Sequence, residues 1–156
     1  RGSVEYIEVV SSISARSAGP ATRLSLDEYI DATQRGGQHF SGAPRTKAIL
    51  ILNPAIPCIN MQTTVFAKVT KPRMEELVPA IGEMVNRLKA YVPGYELMVP
   101  PVYENGRIVI SARVTGLGDY LPQYAGNLDI INCAALAAAE GYAEAQAAPK
   151  KEPKYA

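Results

Sequence analysis

Tryptophan is absent from this 156-residue chain, and cysteine, histidine and phenylalanine are scarce at two, one and two residues. Two cysteines, Cys58 and Cys133, cannot build a disulfide scaffold or a four-ligand zinc site, and the lone His39 adds little to any metal-ligand set. Charge of one sign is missing as well. Sixteen basic residues against fifteen acidic leave a formal net charge of +1, so no global field argues for nucleic acid or anionic lipid. No apolar run reaches the roughly 18–20 residues that a bilayer span needs. The longest candidate is alanine-rich and is broken by Glu140 and Glu144. Internal repeats and long linkers are absent too. What remains is 47% hydrophobic and 20% charged, the balance of a globular chain, and its length suits one domain.

Both ends differ from the body. Arg1-Gly2-Ser3 has the look of a cloning remnant, which would make Val4 the first native residue. Residues 149–156 carry charge and proline without an apolar period and are expected to form a flexible tail. Residues 4–148 form the domain proper, and the chain is expected to be a piece of a larger protein.

Within that domain, Val4 to Ile13 is rich in β-branched residues and predicts a strand. A polar turn follows, and Ser25-Leu26-Asp27-Glu28 has the form of a capping box, opening a helix that should end before Gly36-Gly37. His39 then falls in a loop. Thr46 to Leu52 is almost continuously apolar, the pattern of a strand buried on both faces. Asn60 to Val69 predicts another strand. Thr70-Lys71-Pro72 should open a helix whose apolar face runs through Met74, Leu77, Val78, Ile81, Val85 and Leu88, bent or delayed by Pro79. Asn105-Gly106 between two β-rich runs predicts a hairpin. Ile130 to Ala148 predicts a closing helix; nine of the sixteen residues from Cys133 to Ala148 are alanine. These elements predict an α+β fold: a mostly antiparallel mixed sheet with helices on one face, leaving the other face in need of a partner.

Two segments could carry chemistry. Ser17-Ala18-Gly19-Pro20-Ala21-Thr22-Arg23 is a small-residue turn before a helix; its backbone N–H groups, hydroxyls and guanidinium would suit a phosphate or dinucleotide. Taken alone it reads more simply as a strand-to-helix connection with a surface arginine. Gly116-Leu117-Gly118 opens like a dinucleotide fingerprint, but Leu121 stands where the third glycine belongs and Pro122 follows, so it is a loop. Asn127, in a glycine-containing turn before the last helix, could pair with another amide. Helix capping is the simpler role, and Asp129 could equally perform it. Cys58 and Cys133 lack a histidine or a glycine turn nearby in sequence and read as inert thiols.

Four blocks, SISARSAGPATRLSLDEY, KAILILNPA, AYVPGYEL and above all DYLPQYAGNLDI, resemble the acylating acetaldehyde dehydrogenases of aromatic catabolism, collinearly from Val4 to Ala143. The resemblance implies a fold similar to the C-terminal domain of glyceraldehyde-3-phosphate-dehydrogenase-like enzymes. It also implies a cytoplasmic oxidoreductase converting a short-chain aldehyde, CoA and NAD to acyl-CoA and NADH, with a 4-hydroxy-2-oxovalerate aldolase as partner. The family's Gly-x-Gly-x-x-Gly-type Rossmann turn and its Cys-Gly-Gly-Gln-type nucleophile segment do not occur in this sequence. The expected role is therefore that of the homodimerisation domain, which also covers part of the active site; no catalytic or metal-binding residue is assigned, and the chain by itself is expected to be inactive. By resemblance, Ser17, Ala18, Gly19, Pro20, Ala21, Thr22, Arg23, Leu24 and Ser25 form an NAD-contacting stretch, and Asn127 holds the nicotinamide amide. Ala21 and Ser25 stand where the family often has glycine and asparagine, and the hairpin between Val99 and Ile108 looks shorter than usual. The alternative is a non-catalytic dimerisation or aldolase-binding scaffold module.

Overall fold

A computed structural model of the chain describes residues 4–147; the predicted N-terminal remnant and C-terminal tail lie outside them, as does Ala148. The elements run β1 (Val4–Ser14), α1 (Pro20–Leu24), α2 (Leu26–Ser41), β2 (Thr46–Asn53), β3 (Met61–Val69), α3 (Met74–Lys89), β4 (Tyr95–Glu104), β5 (Arg107–Val114) and α4 (Gly126–Ala147). Short 3-10 turns at Ala15–Ser17 and Gln123–Ala125 precede α1 and α4. The five strands make one sheet in the order β2-β1-β3-β5-β4. Only β1 and β2 are parallel, and α1 and α2 supply the crossover that a parallel pair requires. The other three pairings are antiparallel. The expected α+β class with a mostly antiparallel mixed sheet is what the chain forms.

Cross-strand register sorts the sheet into two unlike faces. One face carries the rows Ile7–Ala67–Ile108 and Val9–Val65–Ile110. Leu77 and Ala80 of α3 stand over these rows across a cleft of about 460 Å³. Gly37 of α2 lies against Thr46 of β2, and Ile130 of α4 meets Met61 and Val114 at a second cavity of about 190 Å³. The opposite face carries Val10–Thr64–Ser111 and Glu8–Phe66–Val109. Its contacts are lateral: a Thr64–Ser111 hydroxyl pair at 3.0 Å, an Arg113–Glu96 ion pair at 2.7 Å, and the Arg107 guanidinium 5.4 Å from the Phe66 ring centre. Cross-strand pairs of this kind stabilise a sheet without covering it.

Several local expectations give way to tertiary contacts. Helix α2 runs through Gly36-Gly37 and ends at Gly42, whose φ is 72°; His39 thus lies in its last turn. Gly37 serves approach rather than termination, because a Cβ there would stand 2.7 Å from Thr46 Cγ2. The capping box does not form. Ser25 accepts no N–H through its side chain, and its own N–H donates back to Ala21 and Thr22. It is a joint between two helices, so it faces no free helix end. β2 is an edge strand, paired with β1 alone, and it is not buried on both faces: Lys47 and Ile51, in register with Glu8 and Ser12, are exposed on the face away from the helices. Helix α3 begins at Met74, two residues after Pro72, and continues past Pro79. Proline there removes one helical N–H, and the exposed ring leaves the packed face, with Leu77, Ile81, Val85 and Leu88, intact. Helix α4 begins at Gly126, so Asn127 belongs to its first turn and not to a preceding loop. The Asn105-Gly106 hairpin forms as expected, with φ of 51° and 77° at its two turn residues, both positive as a type I′ turn needs.

Candidate functional site

The register places one set of chain reversals at a single end of the sheet. Ser12 pairs with Gln62, Ser14 with Asn53 and Met61 with Val114. The C-terminal ends of β1, β2 and β5 and the start of β3 therefore coincide. Three connections leave from there: residues 15–25, 54–60 and 115–125. Asn60 Nδ2 donates to Thr115 Oγ1 at 3.0 Å, joining the second to the third.

The first connection is tightly tied. Ser14 is almost wholly buried, and Ser17 and Ala18 are buried beside it. The Ser14 hydroxyl accepts from Arg16 N at 3.3 Å, and Ser17 Oγ donates to Ser14 O at 2.9 Å. Arg23 turns back over the loop: its Nε donates to Ala18 O at 3.1 Å and its Nη2 to Ala15 O at 2.9 Å. Gly19 through Ser25, by contrast, are exposed. The sequence-predicted stretch thus divides into a buried turn, Ser17-Ala18, and an exposed short helix.

The third connection leads to Asn127. Gly116 N donates to Gln123 O at 2.8 Å, and Leu117 N donates to Asp129 Oδ2 at 2.7 Å. Gly126 lies so close to β5 that a Cβ would collide with the Val114 carbonyl oxygen. These contacts seat the start of α4 on the sheet. Asn127 Oδ1 is covered and has no hydrogen-bond partner among the described residues. An unpaired covered carbonyl costs about 1–3 kcal/mol, so the chain leaves this acceptor's demand unmet. Nearby, burial raises the Tyr95 phenol above its ordinary pKa.

The same end exposes large apolar side chains. Tyr120 is 99% exposed, Leu24 89% and Ile56 81%. Helix α4, about 33 Å long at 1.5 Å per residue, continues outward with Ile131, Leu136 and Tyr142 exposed. A helix apolar all round ordinarily lies buried. Cys58 and Cys133 are half-buried free thiols. Among the described residues no group of three or more His, Cys, Asp or Glu could hold a metal, and no helix is long and apolar enough to cross a membrane.

Sequence reasoning passed over Ser14 and Asn60 and named Asp129 only as an alternative to Asn127 for capping. The available signal was the serine-rich tail Ser11-Ser12-Ile13-Ser14 of an otherwise β-branched strand. Asn60 and Asp129 act on residues 55 and 12 positions away, separations that carry no local signature.

Fold and site together define an α+β domain that leaves one sheet face bare and one end unfinished, a class completed by contacts beyond its own core. Comparison with known proteins supplies the family. Residues 1–122 match the family described as prokaryotic acetaldehyde dehydrogenase, dimerisation. The chain is 62% identical over 145 residues to an acetaldehyde dehydrogenase of Spirochaeta aurantia, covering 93% of this chain and 49% of that protein. It is 62% identical over 136 residues to one from Pectobacterium atrosepticum, covering 87% and 46%. With the corresponding protein of Burkholderia thailandensis it shares 54% over 136 residues, again 87% and 46%. The chain belongs to the prokaryotic acetaldehyde dehydrogenase dimerisation family, and it spans about half the length of these relatives.

Proposed function

We propose that this domain forms the homodimer contact and the nicotinamide-holding side of an NAD-dependent acylating acetaldehyde dehydrogenase. The enzyme would convert a short-chain aldehyde and CoA to acyl-CoA. The observation that carries the reading is the covered, unpaired Oδ1 of Asn127. An amide oxygen accepts hydrogen bonds, and a carboxamide N–H is a donor of matching size. The bound cofactor would supply the hydride acceptor. This chain would supply orientation: Asn127 would accept from the carboxamide and so set which face of the ring meets the substrate. Ser17 through Ser25, at the same end of the sheet, would line the approach of the rest of the dinucleotide. The exposed Leu24, Ile56 and Tyr120 support a second domain covering this end. CoA, the aldehyde and a 4-hydroxy-2-oxovalerate aldolase partner, with a cytoplasmic location, complete the proposal; they rest on the family resemblance.

The test follows NADH absorbance with acetaldehyde, CoA and NAD. The 156-residue chain alone should show no turnover, since Cys58 and Cys133 are half-buried thiols with no histidine nearby in sequence to serve as base. In the full-length enzyme Asn127→Ala should lower kcat/KM about 100-fold, the scale of an ångström's misplacement of reacting groups. A fully active Asn127→Ala enzyme would remove the nicotinamide assignment. Turnover by the chain alone that survives Cys58→Ser/Cys133→Ser would remove the argument for its inactivity.

A further inference from the structure

We propose that Arg23 is a positioning residue that acts on the dinucleotide through the backbone of the Ala15–Ala18 turn, and not by contacting a phosphate itself; this rests on the reading above that this end of the sheet holds NAD. An arginine in a small-residue turn before a helix invites the opposite view, in which the guanidinium reaches outward to an anion. The geometry turns it inward. Nε donates to Ala18 O at 3.1 Å and Nη2 to Ala15 O at 2.9 Å. These carbonyls belong to the first residue of the 3-10 turn and to the residue that closes it. A single planar fork therefore spans the turn from end to end.

Two consequences follow from guanidinium chemistry. The donors of the fork stand in a rigid plane, so engaging both carbonyls sets their separation; an ammonium on a flexible stem has no such plane. The turn is otherwise held by Ser17 Oγ on Ser14 O, by Arg16 N on the Ser14 hydroxyl at 3.3 Å and by a long Ala18 N–H to Ala15 O contact of 3.4 Å. Arg23 itself is carried on α1, whose helical bond from Arg23 N to Gly19 O measures 3.1 Å. The short helix thus closes back on the turn that precedes it. Among the described residues no carboxylate pairs with Arg23, so its charge stays at the turn, where two of its five N–H donors, those of the side-on fork, are engaged by carbonyls.

Charge and fork separate in two variants. Arg23→Lys keeps the charge and loses the plane; Arg23→Ala loses both and leaves the Ala15 and Ala18 carbonyls open to added methylguanidinium. In the full-length enzyme both variants should raise KM for NAD by about 10-fold or more, the scale of a lost charge-assisted bond. kcat at saturating NAD should change less than KM, and added methylguanidinium should lower the KM of Arg23→Ala but not that of Arg23→Lys. A second measurement needs no cofactor. In the 156-residue chain, amide hydrogen exchange at Ala18 should quicken about 10-fold in Arg23→Lys, with the thermal midpoint as a folding control. A wild-type KM in Arg23→Lys would overturn the proposal in favour of a direct charge–phosphate contact. Unchanged exchange at Ala18 in a folded Arg23→Lys chain would overturn it outright. If exchange quickens while the wild-type full-length enzyme binds no NAD, the clamp stands as a structural feature, and the cofactor reading and Arg23's role in it both fall.

Discussion

Single side chains on the sheet show how register turns sequence into electrostatics. Glu96 and Arg113 are directly opposed on β4 and β5 and meet at 2.7 Å. The Arg113 hydrogen bond, with its charge, holds the Glu96 carboxyl below its ordinary value of 4.5. A carboxylate depressed in the folded state adds stability above its unfolded pKa and loses it as pH falls through the folded one. Thermal midpoints should therefore stay level from neutral pH down to about 5 and decline below about 4.5. Both side chains are well exposed, 39% and 44%, so the contribution is modest. Glu96→Gln should make the decline shallower, and an unaltered acid slope in that variant would show that the pair contributes nothing.

At the scale of elements, α2 illustrates a glycine pair whose two members do different things. Both lie inside a helix of sixteen residues. A Cβ at Gly36 meets nothing within 4 Å, whereas one at Gly37 meets Thr46 Cγ2 at 2.7 Å and its Cβ at 3.5 Å. Gly36→Ala should raise stability by roughly 0.5–1 kcal/mol through helix propensity. Gly37→Ala should instead lower it by about 1–3 kcal/mol, because a stiff β-branched side chain on β2 must yield. Chemical denaturation of the two variants checks the signs; equal gains would mean that α2 does not pack on β2 as described. The same contact explains why the helix end was misplaced from sequence. Gly-Gly signals termination locally, and only the proximity of Thr46 gives the second glycine another purpose. The hairpin was legible for the converse reason, since a two-residue Asn-Gly turn contains its own cause.

For the molecule as a whole, the helices gather on one face of the sheet and leave Val10, Phe66 and Val109 on the other among hydroxyl and charged side chains. Stable homodimers bury more than about 1,200 Å² of surface with an apolar centre, and this face offers such a centre. Sedimentation velocity of the chain at tens of micromolar should show a dimer. Val109→Glu should give a folded monomer, because a charge placed at the centre of a two-fold interface meets its own copy. A monomeric parent chain, or a dimer indifferent to Val109→Glu, would move the contact to another surface.

The sequence by itself determined the class of fold, the existence of every strand and of the three long helices, and the family, because periodicity, turn residues and collinear blocks are properties of neighbours in the chain. It also marked Ser17–Ser25 and Asn127 as candidates for cofactor contact. Which way those segments point was decided by tertiary structure alone. Arg23 faces inward because the Ala15 and Ala18 carbonyls lie within reach of its fork. Asn127 sits in the first turn of α4 because that turn, at Gly126, lies against the Val114 carbonyl. β2 is an edge because, among the described residues, no strand pairs with the side it turns away from β1. The Arg23 closure spans only five and eight positions and is a matter of turn geometry. The seating of α4 and the place of β2 depend on contacts between residues twelve or more positions apart, and hydrophobic pattern carries no record of either.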